Sequence, residues 1–453
     1  MKKTILIIGG GGREHALAWK LKRSPRVGKI YTAPGNAGTS SIGENVTIAA
    51  TDILALANWA QNNKIDFTVV GSDDALALGV VDEFQKRGLK IWGPSKAASQ
   101  IESSKAFAKK LMKKNNIPTA EFETFTDYQK ALQYIEEKST PIVIKVSGLA
   151  LGKGVTVCKT LDEAQAALKT AMIDKAFGEA GSQIVIEEFL EGQEFSIHAF
   201  CDGKNFQLLP SSQDHKPIYN GGLGPNTGGM GTIAPVPWIS EAMMSEVATT
   251  IVKPALDGLK NLGSPFVGLL YPGLMAINHP HLASPLKGEE FSVPLPEGEG
   301  SGEGAFKAIE FNARFGDPET QSYMRLLKTD LLDILEACVD GTIDKINIKW
   351  SKKSACCVVL TSGGYPGKYE KGKTITGIKE AEKMEEVIVF QAGTSIRNNQ
   401  LVTNGGRVLG ITAIADNLQT ALNKAYAAVK LINFEGMHYR NDIGFQSLNV
   451  KGG

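Results

Sequence analysis

Residues 308–319 read AIEFNARFGDPE, and the alternation of side chains in this stretch decides how the chain is interpreted. Residues two apart in a strand share a face, so one face of a strand here is polar and the other apolar. The predicted apolar face holds Ile309, Phe311 and Ala313, and the predicted polar face holds Glu310, Asn312 and Arg314. Burying a carboxylate, an amide and a guanidinium together is costly unless a ligand satisfies them. A solvated outer face of an antiparallel sheet is the alternative, but such faces rarely set Asn beside Glu and Arg.

The polar face has the chemistry of a phosphoryl-transfer site. Carboxylate and carbonyl oxygens, as in Glu310 and Asn312, suit Mg²⁺, which keeps water and phosphate oxygens as its other ligands. An arginine beside them, Arg314, can stabilise a transferring phosphoryl group or hold a substrate carboxylate. The stretch therefore predicts a metal and phosphate site on a strand.

A glycine-rich segment lies upstream, at residues 145–154, KVSGLALGKG. It is not a Walker A loop, because three rather than four residues separate its first glycine from Gly-Lys, and a glycine follows the lysine. A strand that delivers Lys145 into this segment forms a hairpin able to fold over a polyphosphate. From the segment alone, a surface hairpin without a ligand is equally consistent.

Residues 1 to about 103 alternate short apolar runs with helical patterns, which predicts an open parallel α/β domain. Ligands bind such sheets at the carboxyl ends of the strands, where this chain carries GGGG (9–12), TAPGNAG (32–38) and GSDD (71–74). The glycines do not match the dinucleotide fingerprint, since its sixth place falls on Glu14 or His15. The run can still hold an anion at a helix N-terminus, with a tight turn as the structural alternative.

The rest of the chain predicts a mixed-sheet region over about 104–335 and a small α+β domain over 351–453. The fold class is thus multidomain α/β and α+β. The middle region also contains IVIEEFLEGQE (184–194), SQDHK (212–216) and GLGPNTGGMG (222–231), of which the last is a long glycine loop of the kind that is commonly functional. His215 has no partner at metal or triad spacing, which favours a hydrogen-bonding role over that of a general base.

Composition excludes several protein classes. The chain has 453 residues, 42% of them hydrophobic, and a formal net charge of +1, as in an ordinary globular protein and unlike one that coats nucleic acid. The N-terminus is too short in apolar residues for a signal peptide, and no apolar run approaches the ~20 residues of a membrane helix. We therefore expect a cytoplasmic protein without membrane or nucleic-acid partners.

Landmarks in order along the chain resemble the phosphoribosylamine-glycine ligase (glycinamide ribonucleotide synthetase) family of ATP-grasp enzymes. They include GGGGREHALAWKL, APGNAG, IWGPSKAASQIESSKAFAK, PIVIKVSGLALGKGV, VIEEFLEGQEFS, SSQDHK, GPNTGGMG, IEFNARFGDPETQ, GGRVLG and YRNDIG, and they span nearly all the chain except about 279–304. The resemblance implies central ATP-grasp domains, with a mobile lid at about 120–190. It also implies ligation of glycine to 5-phosphoribosylamine with ATP, through a glycyl phosphate, in purine biosynthesis.

The resemblance also implies site residues. Those for ATP are Lys105, Lys145, Gly148, Gly152, Lys153, Gly154, Glu187, Leu190 and Glu194. Those around glycine and phosphoribosylamine are Gly10, Gly11, Gly12, Arg13, Asn36, Asp214, Lys216, Asn226, Thr227 and Gly228. Glu310 and Asn312 are the implied ligands of Mg²⁺, with Mn²⁺ as an alternative, and Arg314 and Asp214 are the implied catalytic residues. A monomer is expected.

Two departures concern the phosphate loop, where Ser147 and Leu151 replace the aspartate and alanine common in the family.

Two other functions stay open. One is a different ATP-grasp carboxylate–amine ligase, against which the N-terminal landmarks and the stretch from SQDHK to GGMG argue. The other is an inactivated nucleotide-binding module. The latter is opposed by the presence of Lys145, Glu310, Asn312 and Arg314 together.

Residues 279–304 form an insertion of 26 residues, rich in Pro, Gly and Glu, where the family resemblance implies a hairpin loop of ~2–5 residues. Lengthening a loop costs only about 0.6 kcal/mol per doubling. The insertion is therefore predicted to leave the strand at the end away from the metal residues, and its deletion to preserve activity. His279 and His281 within it are predicted to be solvated rather than metal-bound.

Overall fold

The computed structural model describes residues 2–150, 154–277 and 306–449. Several predictions concern residues outside these ranges and are not addressed by the structure. These residues are Leu151, Gly152 and Lys153 of the glycine loop and the insertion at 279–304, which includes His279 and His281. Among the described residues, no helix combines the length and apolar character needed to cross a membrane.

The N-terminal sheet is parallel and open, as predicted. Its strands lie in the order β3-β2-β1-β4-β5. The strands are β1 (Lys3–Gly9), β2 (Val27–Pro34), β3 (Glu44–Asn45), β4 (Phe67–Val70) and β5 (Ile91–Trp92). The accompanying helices are α1 (Gly12–Leu21), α2 (Ala37–Ile42), α3 (Ile53–Asn62), α4 (Asp73–Leu78), α5 (Val80–Lys86), α6 (Lys96–Ser103) and α7 (Lys105–Lys114). The predicted convergence of the strand ends is confirmed, because the Gly35 amide donates to the Gly9 carbonyl at 3.1 Å and the Gly71 amide donates to the Ile8 carbonyl at 2.9 Å.

Two antiparallel sheets follow. The first has the order β6-β9-β7-β8, formed by β6 (Phe122–Phe125), β7 (Ile142–Val146), β8 (Val155–Cys158) and β9 (Ile184–Glu188), with α8 (Tyr128–Glu137) and α9 (Leu161–Leu168). The second has β10 (Gln193–Ser196), β11 (Ala199–Asp202), β12 (Phe206–Leu208), β17 (Val267–Ala276) and β18 (Phe306–Asn312). The sequence predicted a mixed sheet here. The named strands instead pair antiparallel, and the parallel contact is an isolated bridge between Thr119 and Ala308.

The last sheet has the order β13-β16-β19-β23-β20. Its strands are β13 (Gln213–Asp214), β16 (Gly231–Ala234), β19 (Ser354–Thr361), β20 (Val387–Gln391) and β23 (Arg407–Ala415). Since β13 and β16 come from the middle of the chain, the predicted boundary near residue 335 does not separate two sheets. Pairing between strands far apart in sequence has no local signature, which is why the sequence could not show it.

Hairpins and helices complete the described chain. The hairpins are β14 (Pro217–Tyr219) with β15 (Leu223–Asn226), and β21 (Thr394–Arg397) with β22 (Gln400–Thr403). The helices are α10 (Glu241–Val247), α11 (Lys253–Asn261), α12 (Glu319–Leu326), α13 (Leu331–Val339), α14 (Ile378–Ala381), α15 (Leu418–Val429) and α16 (Phe445–Asn449). Helix α12 is central: it packs against α1 and against β16, β19 and β23, and its Tyr323 and Met324 are fully buried. It joins the N-terminal and C-terminal parts through one core.

Strand β18 contains a β-bulge that corrects one prediction. Gly273 of β17 pairs with Glu310 and Leu274 pairs with Ala308, so Ile309 is an extra residue in β18. Phe311 and Ala313 are buried in the core as predicted, but Ile309 is half-buried on the side of the cavity described below. The prediction that Ile309 faces the core was wrong because a strict period of two cannot anticipate a bulge.

Candidate active site

A cavity of about 480 Å³ lies where the sheets meet, and most of the predicted site residues line it. The predicted residues in its wall are Arg13, Lys105, Lys145, Gly154, Glu187, Asp214, Lys216, Thr227, Gly228, Glu310, Asn312 and Arg314. They come from helices α1 and α7, from strands β7, β9, β13 and β18, and from loops beside these strands. Convergence of so many separately predicted residues identifies this cavity as the candidate site.

Eight other predicted residues are described but do not line the cavity: Gly10, Gly11, Gly12, Asn36, Gly148, Leu190, Glu194 and Asn226. Two of them touch the wall through hydrogen bonds. The Gly148 carbonyl accepts from Lys105 Nζ at 3.3 Å, and the Glu194 carboxylate is bonded to Lys216 Nζ. These two residues support cavity residues rather than face the cavity themselves.

The Glu310 carboxylate fits a divalent cation. Within the described part of the chain, no hydrogen bond or ion pair occupies this carboxylate, although it projects into the cavity. Burial by itself would raise the pKa of Glu310, but Lys216, Lys145, Lys105 and Arg314 outweigh burial and hold that pKa below its usual value. Asn312, two residues on, adds an amide oxygen. An ionised carboxylate and an amide oxygen in a cavity wall are donors that Mg²⁺ or Mn²⁺ takes.

Arg314 is fixed by its neighbours. Its guanidinium lies 3.1 Å from Glu102 Oε1 and donates to Asn312 Oδ1 at 3.2 Å, while its Nε is buried without a hydrogen-bond partner. Burial opposes its charge, but Glu102 and Asp73 raise the pKa of Arg314 above its usual value. A permanently charged and partly unsatisfied guanidinium in a cavity wall is suited to an anionic ligand.

Glu187 is the centre of a buried cluster. Its Oε2 lies 2.9 Å from Lys145 Nζ and 3.0 Å from Lys109 Nζ, and its Oε1 is buried without a hydrogen-bond partner. Lys145 Nζ also donates to the Ile309 carbonyl at 3.3 Å, which the bulge in β18 presents. Burial lowers the pKa of Lys109 to about 8, partly offset by Glu187. The open Oε1 can accept a hydrogen bond from a ligand.

Asp214 and Lys216 bring β13 and the residues after it into the cavity wall. Lys216 Nζ is bonded to Glu194 and lies 3.7 Å from Asp214 Oδ1, an oxygen that is buried and has no hydrogen-bond partner. Burial would lower the pKa of Lys216, but Asp214 and Glu194 raise it well above its usual value. Asp214 therefore offers an acceptor to a cationic or hydroxyl-bearing ligand.

The N-terminal glycine loop (residues 9–12) is held in place by hydrogen bonds to the side chains of Glu14 and Asn36. Glu14, fully buried, accepts from the Gly11 amide at 2.6 Å and from Arg13 Nε at 2.6 Å. The Asn36 side chain donates to the carbonyls of Gly10 and Gly11 at 3.0 and 3.1 Å. Its Oδ1 accepts from the amides of Gly38 and Thr39 and so caps helix α2. All polar atoms of that side chain are thus engaged within the protein, and Asn36 shapes the loop.

Several cavity residues were missed by the sequence reasoning: Asp73, Glu102, Lys109, Tyr271, Asp317, Glu319, Tyr365, Tyr369 and Arg407. For Lys109 a signal existed, since it follows Lys105 by four residues on one helical face. Asp317 and Glu319 lie in the GDPE end of the opening stretch. Arg407 lies in the GGRVLG landmark but was assigned no role; its guanidinium donates to the Asp317 carbonyl at 2.5 Å and lies 3.2 Å from Asp317 Oδ2.

Comparisons with known proteins point to one family. Family models of phosphoribosylglycinamide synthetase match its N domain at residues 3–102, its ATP-grasp (A) domain at 103–287 and its C domain at 355–446. A phosphoribosylamine–glycine ligase from Pasteurella multocida is 45% identical over 447 residues, covering 98% of each chain. One from Caldanaerobacter subterraneus is 45% identical over 439 residues, covering 97% of this chain and 99% of the relative.

A solved structure is similar over the whole chain as well. The crystal structure of phosphoribosylamine–glycine ligase from Thermotoga maritima has a TM-score of 0.81 and 31% sequence identity to this chain, and the match covers 97% of this chain and 100% of that one. The sequence relatives and the solved structure thus carry the same activity in their names.

Proposed function

Since the chain belongs to the phosphoribosylglycinamide synthetase family, we propose that its cavity performs ligation in two steps through a glycyl phosphate. The overall activity is the ATP-dependent ligation of glycine to phosphoribosylamine in purine biosynthesis, catalysed by an ATP-grasp ligase. A free carboxylate is a poor acyl donor. The first step therefore transfers the γ-phosphoryl group of ATP to glycine, and the second is attack by the amine of phosphoribosylamine.

The residue roles follow from the cavity wall. Lys105 and Lys145 hold phosphates, and the open Oε1 of Glu187 accepts from the adenine amine. Arg314 stabilises charge on the transferring phosphoryl group, because phosphoryl transfer depends on positioning and electrostatic stabilisation. Asp214, Lys216 and Arg13 line the part of the cavity assigned to glycine and phosphoribosylamine. In place of the direct contact first expected of Asn36, we propose that it supports Gly10 and Gly11.

ATP-grasp enzymes use ATP and a divalent metal. We propose Mg²⁺, with Mn²⁺ as the alternative, held by Glu310 and Asn312. The cation supplies neutralisation of phosphate charge when bound. The support is the Glu310 carboxylate, whose lowered pKa favours its ionised form, beside the Asn312 amide in the cavity wall.

Two proposals concern the whole protein. Residues about 120–190, which include the sheet carrying Lys145 and Glu187, act as a lid over the nucleotide between a substrate-binding domain at 1–103 and the C-terminal domain at 351–453. The protein is a cytoplasmic monomer that acts on small molecules and binds no nucleic acid, in keeping with its net charge of +1.

The convergence of Lys105, Lys145, Glu310, Asn312 and Arg314 on one cavity is the observation that carries the proposed route. The test is an ADP-release assay with ribose 5-phosphate and ammonia, which condense to phosphoribosylamine in place. ADP release is expected to require glycine and phosphoribosylamine together, and Glu310→Ala is expected to abolish it with an unchanged circular dichroism spectrum. Rapid ADP release without either substrate, or full activity of Glu310→Ala, contradicts the proposal.

A further inference from the structure

Glu319 is a buried carboxylate in the cavity wall that none of the roles above uses. It is 2% exposed, at the start of α12. The Tyr271 hydroxyl of β17 donates to its Oε1 at 2.6 Å, and Ser196 Oγ donates in turn to the Tyr271 oxygen at 3.3 Å. Among the described residues, no side chain donates a hydrogen bond to its Oε2. Tyr271 therefore fixes one oxygen, while Oε2 lies beside Gly316, a residue with no Cβ, and accepts no side-chain hydrogen bond from the described residues.

The reaction needs a proton acceptor in this cavity. When the amine nitrogen of phosphoribosylamine bonds to the carbonyl carbon of glycyl phosphate, the bond from that carbon to the phosphate oxygen breaks and phosphate leaves with the bonding electrons. The nitrogen must then lose one proton, or the new amide stays protonated. A positioned base in the cavity contributes about 10²- to 10⁴-fold to such a step.

We propose that Glu319 is the catalytic residue that takes this proton, with Tyr271 as its positioning residue. This inference rests on the glycyl phosphate route. The proton passes from the attacking nitrogen to the Glu319 carboxylate, while Tyr271 keeps Oε1 turned away from the exchange. Glu319 later returns the proton to solvent, and atoms and charge balance.

The electrostatic surroundings of Glu319 suit that role better than those of Glu310. The charged or titratable groups near it are Tyr271, Asp214, Arg314, Arg407, Tyr323, Cys357 and His198, whose Nε2 lies next to Gly316 as Glu319 Oε2 does. Burial, followed by the Asp214 charge, raises the pKa of Glu319 to about 7, against the opposing effects of Tyr271 and Arg314. A base works best when its pKa is near the working pH, and Glu310, whose pKa is lowered, is a poorer acceptor.

The first experiment separates the two steps. With ATP and glycine, hydroxylamine traps glycyl phosphate as a hydroxamate, and this reactive nucleophile needs little help from a base. Glu319→Gln is expected to lower ligation about 10²-fold or more, and hydroxamate formation far less. Equal losses of both rates, or a raised KM for glycine as the main effect, overturn the inference. Absence of hydroxamate from the unmodified enzyme overturns the glycyl phosphate route and the inference with it.

The second experiment measures a pH profile, which a purely structural role would not move. Tyr271→Phe removes the hydrogen bond that favours the ionised carboxylate, so the rise of kcat with pH is expected to shift to higher pH. Comparing each variant with the unmodified enzyme at the same pH cancels changes in phosphoribosylamine formation. Tyr323→Phe is the matched control, because its hydroxyl donates to Ser212 at 2.8 Å and not to Glu319. An unshifted profile for Tyr271→Phe, or the same shift in both variants, overturns the proposal.

Discussion

Lys109 shows how a single buried charge can set a binding site. Its ammonium is 2% exposed, lies 3.0 Å from Glu187 Oε2 and donates to Thr119 Oγ1 at 2.7 Å. Burial alone disfavours the cationic form, and Glu187 supplies the main compensation. Together with Lys145 it pairs with Oε2 of Glu187 and leaves Oε1, the atom that we propose accepts from the adenine amine, without a hydrogen-bond partner among the described residues.

Replacing Lys109 by Met is expected to raise the KM for ATP about tenfold, equivalent to ~1.4 kcal/mol, with a smaller effect on kcat. The reason is that Glu187 Oε2 loses one of its two ammonium partners, so the carboxylate is no longer held in one orientation. Lys113→Met is the matched control, since Lys113 is exposed one turn further along α7. Steady-state kinetics with varied ATP check this, and equal KM values for the two variants would refute it.

At the scale of secondary structure, the β17–β18 hairpin determines which residues reach the cavity. Its paired residues run from Ala276 with Phe306 at one end to Tyr271 with Asn312 at the other. From Tyr271 to Ala276 strand β17 covers five steps, which span about 17 Å at the rise of a strand. The cavity end thus carries Asn312, while the chain leaves the hairpin at the far end, beside Gln193, which pairs with Ala276.

Replacing residues 280–303 with a short Gly-Ser linker is expected to leave kcat within about threefold of the unmodified enzyme. The described ends of β17 and β18 are already paired, and loop length costs closure entropy only logarithmically. If the replacement has an effect, we expect it on the KM for ATP. The far end of the hairpin pairs with Gln193, the residue before Glu194 in β10. A large fall in kcat with an unchanged melting temperature would contradict this.

Much of this hairpin could be predicted from the sequence because the signal is local. The polar run of Glu310, Asn312 and Arg314 follows from the period of a strand, and the cavity contains all three. The bulge at Ile309 and the ion pair of Arg407 with Asp317 could not be predicted, because each depends on a partner distant in sequence. Lys109 is an intermediate case. Its spacing of four residues from Lys105 on one helical face is a local signal, but Lys109 was not among the predicted site residues.

At the scale of the whole molecule, two neutral histidines tie the C-terminal part to the rest. His15 Nδ1 of α1 accepts from the Gln391 amide at 2.8 Å, and His215 Nε2 accepts from the Gly444 amide at 3.0 Å. Burial lowers the pKa of each to about 4. A protonated imidazole cannot accept these bonds, so both contacts require the neutral ring.

We expect the free energy of unfolding to fall as the pH drops from about 6.5 to about 4. In that window the unfolded histidines, with pKa near 6.5, bind protons that the folded ones exclude, so acid favours the unfolded state. His15→Gln should flatten this dependence, because glutamine does not titrate in this window and one of the two buried imidazoles is removed. Urea unfolding at several pH values measures this, and parallel curves for His15→Gln and the unmodified protein would contradict it.

The bulge at Ile309 also determines which single-residue deletions in β18 this enzyme can tolerate. Loss of the Ile309 codon would leave a strand of strict alternation in which Glu310 and Asn312 still face the cavity, since the extra residue is the one removed. Loss of the codon for Phe311 would make Glu310 and Asn312 adjacent in the sequence. The side chain of one of them would then point into the core. We therefore expect natural variation in the length of this strand to be confined to the position of the bulge.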